Sequence, residues 1–256
     1  MKLAISGKGG VGKTTLSVFL AKRLVEQGRK VVLIDADPDA NVAMTLGLPP
    51  AVQIEPLIEL RDLIMERTGA TGRPGEYFSL NPRVDDIPER YALEADGVKV
   101  LRMGRLKRGG AGCLCPENAF IMALMSHLVF QDSQDVVLDM EAGVEHLGRG
   151  TAQGVDALLV VVEPGQRSIQ TAFEVRRLAT DIAIRRLGVV VNKFRTPEEL
   201  QSIERQLEPL PVLGRIPFDE AIAASDLRGE CPYNGSHKQR QYVDEILSNV
   251  SKLIQS

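Results

Sequence analysis

The chain has no tryptophan, and only three histidines and three cysteines among its 256 residues. So small and odd a cysteine count argues against a disulfide scaffold and makes a reducing, cytoplasmic setting the expectation. Charge of neither sign dominates: 31 basic residues face 34 acidic ones, for a net charge of −3. A protein that coats DNA or RNA is usually basic, so no nucleic-acid partner is expected. No apolar run is long enough to cross a bilayer, and no membrane partner is expected. Met1-Lys2-Leu3 leads at once into a strand-like run and a glycine loop, so no signal peptide is expected. At 44% hydrophobic and 25% charged, the composition is that of an ordinary globular chain able to bury a substantial core.

What is present is a regular alternation. Short runs rich in Val, Ile and Leu at 2–6, 30–35, 98–103, 136–140, 157–163, 187–192 and 212–216 predict strands buried on both faces. Helical patterns lie at 13–27, 56–67, 117–130, 169–182, 197–206 and 238–254, with Gly28 closing the first as a C′ glycine. This order predicts an α/β fold. It is a single domain over 1–256, doubly wound, with a mostly parallel sheet of about seven to eight strands and helices on both faces. Residues 68–115 read as an irregular excursion that starts in a Gly/Pro/Thr-rich loop and ends in a cysteine loop.

The string Gly7-Lys8-Gly9-Gly10-Val11-Gly12-Lys13-Thr14 fits G-x-x-x-x-G-K-[ST] between a strand and a helix, the context of a P-loop. Glycines let backbone N–H groups curl around phosphate oxygens, and the helix N-terminus adds a positive dipole end. Lys13 then bridges the β- and γ-phosphates and Thr14 ligates magnesium. The second strand closes on Asp35-Ala36-Asp37-Pro38-Asp39, where an acidic group can orient water or hold a magnesium-bound water. Val136-Val137-Leu138-Asp139 is a Walker B-like run, with Asp139 in the magnesium shell. Gly143 beyond it can bring its N–H to a γ-phosphate. His146 reads as a structural hydrogen bonder and Cys231 as a structural thiol. Asn192-Lys193 ends a later strand, and Arg195 stands where a guanine-selecting N-K-x-D motif has its aspartate, so ATP is favoured over GTP.

Lys8 together with Gly9, Gly10, Val11, Gly12, Lys13, Thr14 and Thr15 resembles the deviant Walker A loop of the MinD/ParA/nitrogenase-iron-protein ATPases. The resemblance implies that Lys8 reaches across a dimer interface to the partner's nucleotide. The D-x-D-P string is similar to that class's switch I, which puts the catalytic aspartate at Asp37 and Asp35 behind it near magnesium. The D-x-x-A-G-x-E spacing from Asp139 through Gly143 resembles switch II. The class also implies that Asn192 reads the adenine edge and that Ile216-Pro217-Phe218-Asp219 closes over the base.

Cys113-Leu114-Cys115-Pro116-Glu117 follows a glycine-rich stretch and precedes a helix. Two thiolates are half of a tetrahedral shell, and a twofold dimer would supply four. With Met103-Gly104 upstream and D-M-x-A-G-x-E-H downstream, the pattern over about residues 1–220 resembles the CooC family. These are maturation ATPases of nickel-dependent carbon monoxide dehydrogenase, with a cousin acting on acetyl-CoA synthase. The resemblance implies a homodimer that binds one nickel or zinc ion through Cys113 and Cys115 of each subunit and serves a client nickel enzyme. Glu141 departs from the glycine expected there in switch II. Two other readings stay open: a MinD/ParA-type positioning switch and an iron–sulfur reductase. The former calls for a basic amphipathic tail, which 239–256 is not; the latter takes its thiolates from cysteines far apart in sequence, not from C-x-C. The basic residues Arg102, Arg105, Lys107 and Arg108 read equally well as a docking loop or a solvated one.

Overall fold

A computed structural model describes residues 1–73, 75–104, 115–131, 133–144, 147 and 149–255. Its sheet contains β1 (Lys2–Ser6), β2 (Val31–Asp35), β3 (Leu93–Ala95), β4 (Val98–Arg102), β5 (Asp135–Asp139), β6 (Ala157–Val162), β7 (Leu187–Phe194) and β8 (Val212–Pro217). Their order is β3-β4-β2-β5-β1-β6-β7-β8. Every pairing is parallel except that of β3 with β4. The helices are α1 (Lys13–Glu26), α2 (Val42–Thr45), α3 (Arg61–Thr68), α4 (Ile87–Tyr91), α5 (Pro116–Phe130), α6 (Arg149–Ala152), α7 (Gln166–Asp181), α8 (Pro197–Leu207), α9 (Glu220–Leu227) and α10 (His237–Gln255).

Alternation of side chains along the strands makes two cores. Ala4, Ile34, Leu138 and Val160 pack with Phe120, Leu124 and Leu128 of α5 and Ala172 and Val175 of α7. Leu3, Ile5, Leu33 and Leu159 pack with Leu16, Leu20 and Leu24 of α1 and Val243, Ile246 and Val250 of α10. Helices thus cover both faces, which is why the strands read as continuous apolar runs. The single-domain, doubly wound fold is as expected. The tail is a docked helix: Arg23 of α1 meets Asp244 of α10 at 2.8 Å.

Three local expectations need correction. The sheet has eight strands, within the expected number, but β3 lies outside the expected runs; it forms a hairpin with β4 through Asp96 (φ 49°) and Gly97 (φ 78°). Asp-Gly is the residue pair that such a tight turn selects. With α4 it gives order to the middle of 68–115. The helix expected at 56–67 is broken into a 3-10 turn, Leu57–Glu59, and α3. The Ile58 N–H donates to Met103 O at 3.2 Å, tying this segment to the chain beyond β4, and Leu60 takes a non-helical ψ of 62°. The short helices α2 and α9 also lay outside the expected pattern.

The carboxyl ends of β1, β2, β5, β7 and β8 face one edge, the place where open α/β sheets bind ligands. Because α5 runs back antiparallel to the strands it connects, its first turn lies at this same edge.

Candidate nucleotide-binding site

The chain leaves β1 at Ser6 and enters α1 at Lys13 through the glycine loop. Gly10 and Gly12 hold φ of 84° and 94°, in the region that favours glycine. A Cβ on Gly12 would also sit 2.5 Å from the Asn192 amide nitrogen, so side chains are excluded twice over. Gly9, Gly10, Gly12, Lys13, Thr14 and Thr15 line a cavity of about 470 Å³. The buried Lys13 ammonium lies 3.9 Å from the Asp37 carboxylate and 3.5 Å from the Lys8 carbonyl oxygen. Its partners are distant, which leaves its charge available to an anion. The Lys8 side chain is half-buried and does not line the cavity.

Asp139 ends β5 with no exposure. Thr14 Oγ1 donates to its Oδ2 at 2.7 Å, and Ser17 Oγ lies 3.1 Å from its Oδ1. Burial pushes its carboxyl up to about 6, against the opposing effect of the Thr14 hydrogen bond. Asp35, at the matching end of β2, is pushed up to about 7, first by burial and then by the negative charge of Asp139. Its Oδ2 accepts the Val42 N–H at 3.1 Å, while its buried Oδ1 has no hydrogen-bond partner among the described residues. Two buried carboxylates and a hydroxyl, one oxygen left unpaired, form a hard-donor set short of positive charge. That is the chemistry that suits magnesium.

Asp37 is half-exposed on the cavity wall, and its Oδ1 accepts the Asp39 N–H at 3.0 Å, closing an Asx turn. Gly143, with φ of 153°, donates its N–H to Ser6 Oγ at 3.1 Å. On the other side, Asn192 Nδ2 donates to Val11 O at 2.8 Å. Lys193 Nζ donates to Gly10 O at 2.5 Å and lies 3.7 Å from Glu163. Pro217 lines the same cavity, and the guanidinium of Arg195 stacks on the Phe218 ring at 3.9 Å. Thus Asn192 and Lys193 buttress the loop through the Val11 and Gly10 carbonyls, and the expected base-edge residues stand beside the phosphate loop.

Cys115 is the N-cap residue of α5, half-buried in extended backbone (φ −123°), with Pro116 following as the first helical residue. Its carbonyl accepts the Ala119 N–H at 3.0 Å. Cys113, like Arg105, Lys107, Arg108 and His146, lies outside the described residues. Among the described residues no cluster of three or more His, Cys, Asp or Glu side chains could hold a metal ion, and no helix is long and apolar enough to cross a membrane.

Sequence reading missed Ser6 and Ser17, both fully buried on site groups. Ser17 had a signal: three residues after Thr14, it shares that residue's face of α1. Met44 of α2 and Ile222 of α9 also line the cavity, on the short helices not expected there.

Residues 2–233 match the CobQ/CobB/MinD/ParA nucleotide binding domain family. The chain is 44% identical to the carbon monoxide dehydrogenase accessory protein CooC of Rhodospirillum rubrum, covering 97% of this chain and 95% of that one. It is 39% identical to an uncharacterized ATP-binding protein of Methanocaldococcus jannaschii, covering 99% and 98% respectively. Among solved structures, the MinC:MinD cell division protein complex of Aquifex aeolicus aligns with a TM-score of 0.69 at 21% identity, over 100% of this chain and 96% of that one. With residues 2–233 matched to the family and this identity over nearly the whole of both chains, the chain belongs to the MinD/ParA family of nucleotide-binding proteins and, within it, to the CooC type.

Proposed function

We propose that this chain is an ATP-dependent metallochaperone, which dimerises with ATP and supports insertion of nickel into a carbon monoxide dehydrogenase or an acetyl-CoA synthase. The observation that carries the ATPase half is the pairing of Lys13 with Asp37 at 3.9 Å beside Thr14 on Asp139 at 2.7 Å. It sets a phosphate cation and a water-orienting carboxylate on the cavity wall, with Thr14 there joined to the buried Asp139. The ATP-binding name of the Methanocaldococcus jannaschii relative supports adenine as the base. The nickel half is supported by the name of the Rhodospirillum rubrum relative and by the C-x-C motif.

In this reading the Lys13 ammonium leaves Asp37 for the β- and γ-phosphate oxygens. Asp37 is then free to accept a hydrogen bond from the attacking water and align it with the γ-phosphorus. The backbone N–H groups of Gly9, Gly10, Gly12 and Thr14 surround the phosphates, with Thr15 beside them. Thr14 and Asp139, with Asp35 behind, would hold magnesium, which would supply charge neutralisation for the phosphates. Asn192 and Pro217 frame the base, and Lys193 fixes the Gly10 carbonyl outward so that the loop's N–H groups stay turned in. Lys8 completes the site of the partner subunit, which makes turnover slow in an isolated chain. Cys113 and Cys115 of two subunits together hold one nickel or zinc ion as cargo.

The test uses the anaerobically purified chain, with molecular mass, metal content and ATP turnover measured together. Lys13→Ala should lose nucleotide binding, and Lys8→Ala should bind ATP yet neither dimerise on it nor turn it over. Cys113→Ser/Cys115→Ser should lose the ion shared by each dimer, with Cys231→Ser keeping it. Normal turnover by Lys8→Ala would remove the shared-site reading. Unchanged tight metal binding by the double cysteine variant would remove the cargo site.

A further inference from the structure

Ser6 is fully buried and is the last residue of β1, directly before the glycine loop. The β1–β5 ladder ends with the Met140 N–H on Ile5 O at 3.0 Å. From there the Ser6 side chain takes over the role of the backbone. Its Oγ accepts the Gly143 N–H at 3.1 Å and lies 2.9 Å from both the Glu141 and the Gly143 carbonyl oxygens. A hydroxyl has one proton and two lone pairs, so it satisfies the N–H and shares its proton between the two carbonyls. One side chain therefore ties 141–143 to the root of the phosphate loop.

We infer that Ser6 is a positioning residue: a latch that holds residues 141–143 against the root of the phosphate loop and tunes the preference for ATP over ADP. The inference rests on the reading of Gly143 as the γ-phosphate contact. An N–H has one proton to give. For Gly143 to donate to a γ-phosphate it must leave Ser6, whereas ADP, with no γ-phosphate, makes no such demand. The Ser6 hydroxyl and the γ-phosphate compete for the same donor. Without the hydroxyl, the buried Gly143 N–H is unsatisfied in the nucleotide-free and ADP states alone, which raises their free energy relative to the ATP state. The positive φ of Gly143 gives this segment a backbone state that a glycine reaches without strain, consistent with a pivot.

The experiment is calorimetric titration of wild type, Ser6→Ala and Ser6→Thr with magnesium AMP-PNP and magnesium ADP. Ser6→Ala should raise the ratio of AMP-PNP to ADP affinity about three- to tenfold, the worth of one hydrogen bond. Ser6→Thr, which keeps the hydroxyl, should restore the wild-type ratio. Loss of core packing alone would weaken both ligands together and leave the ratio unmoved. An unchanged ratio in Ser6→Ala, or one shifted toward ADP, overturns the latch. Should Ser6→Ala not fold, Ser6→Cys fills the same space with a weak acceptor and must shift the ratio in the same direction. If wild type binds neither nucleotide, the nucleotide reading itself fails. Binding with a ratio indifferent to Ser6 removes only the latch.

Discussion

β5 carries a buried aspartate at each end, and the two are treated in opposite ways. Asp135, at the amino end, is held by the N-terminal ammonium at 2.6 Å and by the Arg29 guanidinium at 2.5 Å. Asp139, four positions along the same strand at its carboxyl end, meets hydroxyls, and Lys13 acts on it only through space. Both are nearly inaccessible to water. The fold is therefore able to neutralise a buried carboxylate with its own cations and does so where the role is structural. At the carboxyl edge it leaves the charge short of a partner, and Asp35 beside it shares that deficit. A buried charge that the chain does not compensate is a demand on something that diffuses in.

Substitutions should separate these roles. A third carboxylate, Asp37, is partly exposed on the cavity wall and faces Lys13 at 3.9 Å, where it can act on a water. Asp37→Asn should leave nucleotide binding intact and cut steady-state phosphate release about a hundredfold or more. Intact turnover would place the water-orienting group elsewhere. Next in size, Asp135→Asn removes the buried counter-charge shared by the ammonium and the guanidinium, leaving one amide oxygen to accept from them. The expected loss is about 3–5 kcal/mol of stability, read by denaturant unfolding. Asp139→Asn removes a buried charge that no cation contacts directly. The ligand-free protein should melt no lower than wild type, while the gain in melting temperature from magnesium ATP should vanish. If Asp139→Asn were as destabilising as Asp135→Asn, the contrast between the two ends would be lost.

Smaller still is the effect of Ser17→Ala, which removes one of the two hydroxyls on Asp139. Magnesium-dependent nucleotide affinity should fall by about three- to tenfold, in proportion to one hydrogen bond. The smallest effect is on pH. Asp139 and Asp35 titrate near about 6 and about 7 in the folded chain, against 3.8 for an ordinary aspartate. Between these values the folded state holds protons that the unfolded state has lost. Their contribution to stability therefore falls as pH rises from about 4 through about 7, and is level above. Glu26, drawn down to about 2 chiefly by its bond to Arg240, titrates below this window and does not offset it. Thermal unfolding of the ligand-free chain should show the fall, and saturating magnesium ATP should flatten it. A ligand-free curve that rises across this range would contradict the uncompensated pair.

The fold and the polar heart of the site were legible because both are written as spacings. Strand runs alternate with helical periods, the glycine loop fixes Lys13 and Thr14, Asp35 and Asp139 close strands that end at the ligand edge, and Asp37 follows two residues beyond the first. Ser6 and Ser17 were not legible in this way. Each is one small polar residue in an apolar stretch, and its role depends on which strand lies opposite. The β3–β4 hairpin was written in Asp96-Gly97 but sits inside a stretch of turn-forming residues that masks it. The break between the 3-10 turn and α3 depends on a long-range bond from Ile58 to Met103, and local periodicity carries no record of such a partner. The composition of the C-x-C loop pointed to metal chemistry, but only Cys115 of its two cysteines has a described environment.

The sheet's two margins bear on how copies of this chain meet. An open sheet invites strand-to-strand polymerisation wherever a long outer strand shows unpaired backbone. Here β3 spans three residues, too short a ledge for a register to form. At the opposite margin β8 ends in Pro217, which has no N–H to offer, and the Asn249 amide of α10 donates to Leu213 O at 2.9 Å. Both flanks are thus poor templates for fibre growth. A protein whose proposed cycle brings two copies together and parts them again gains from this, because fusion through its outermost strands is discouraged.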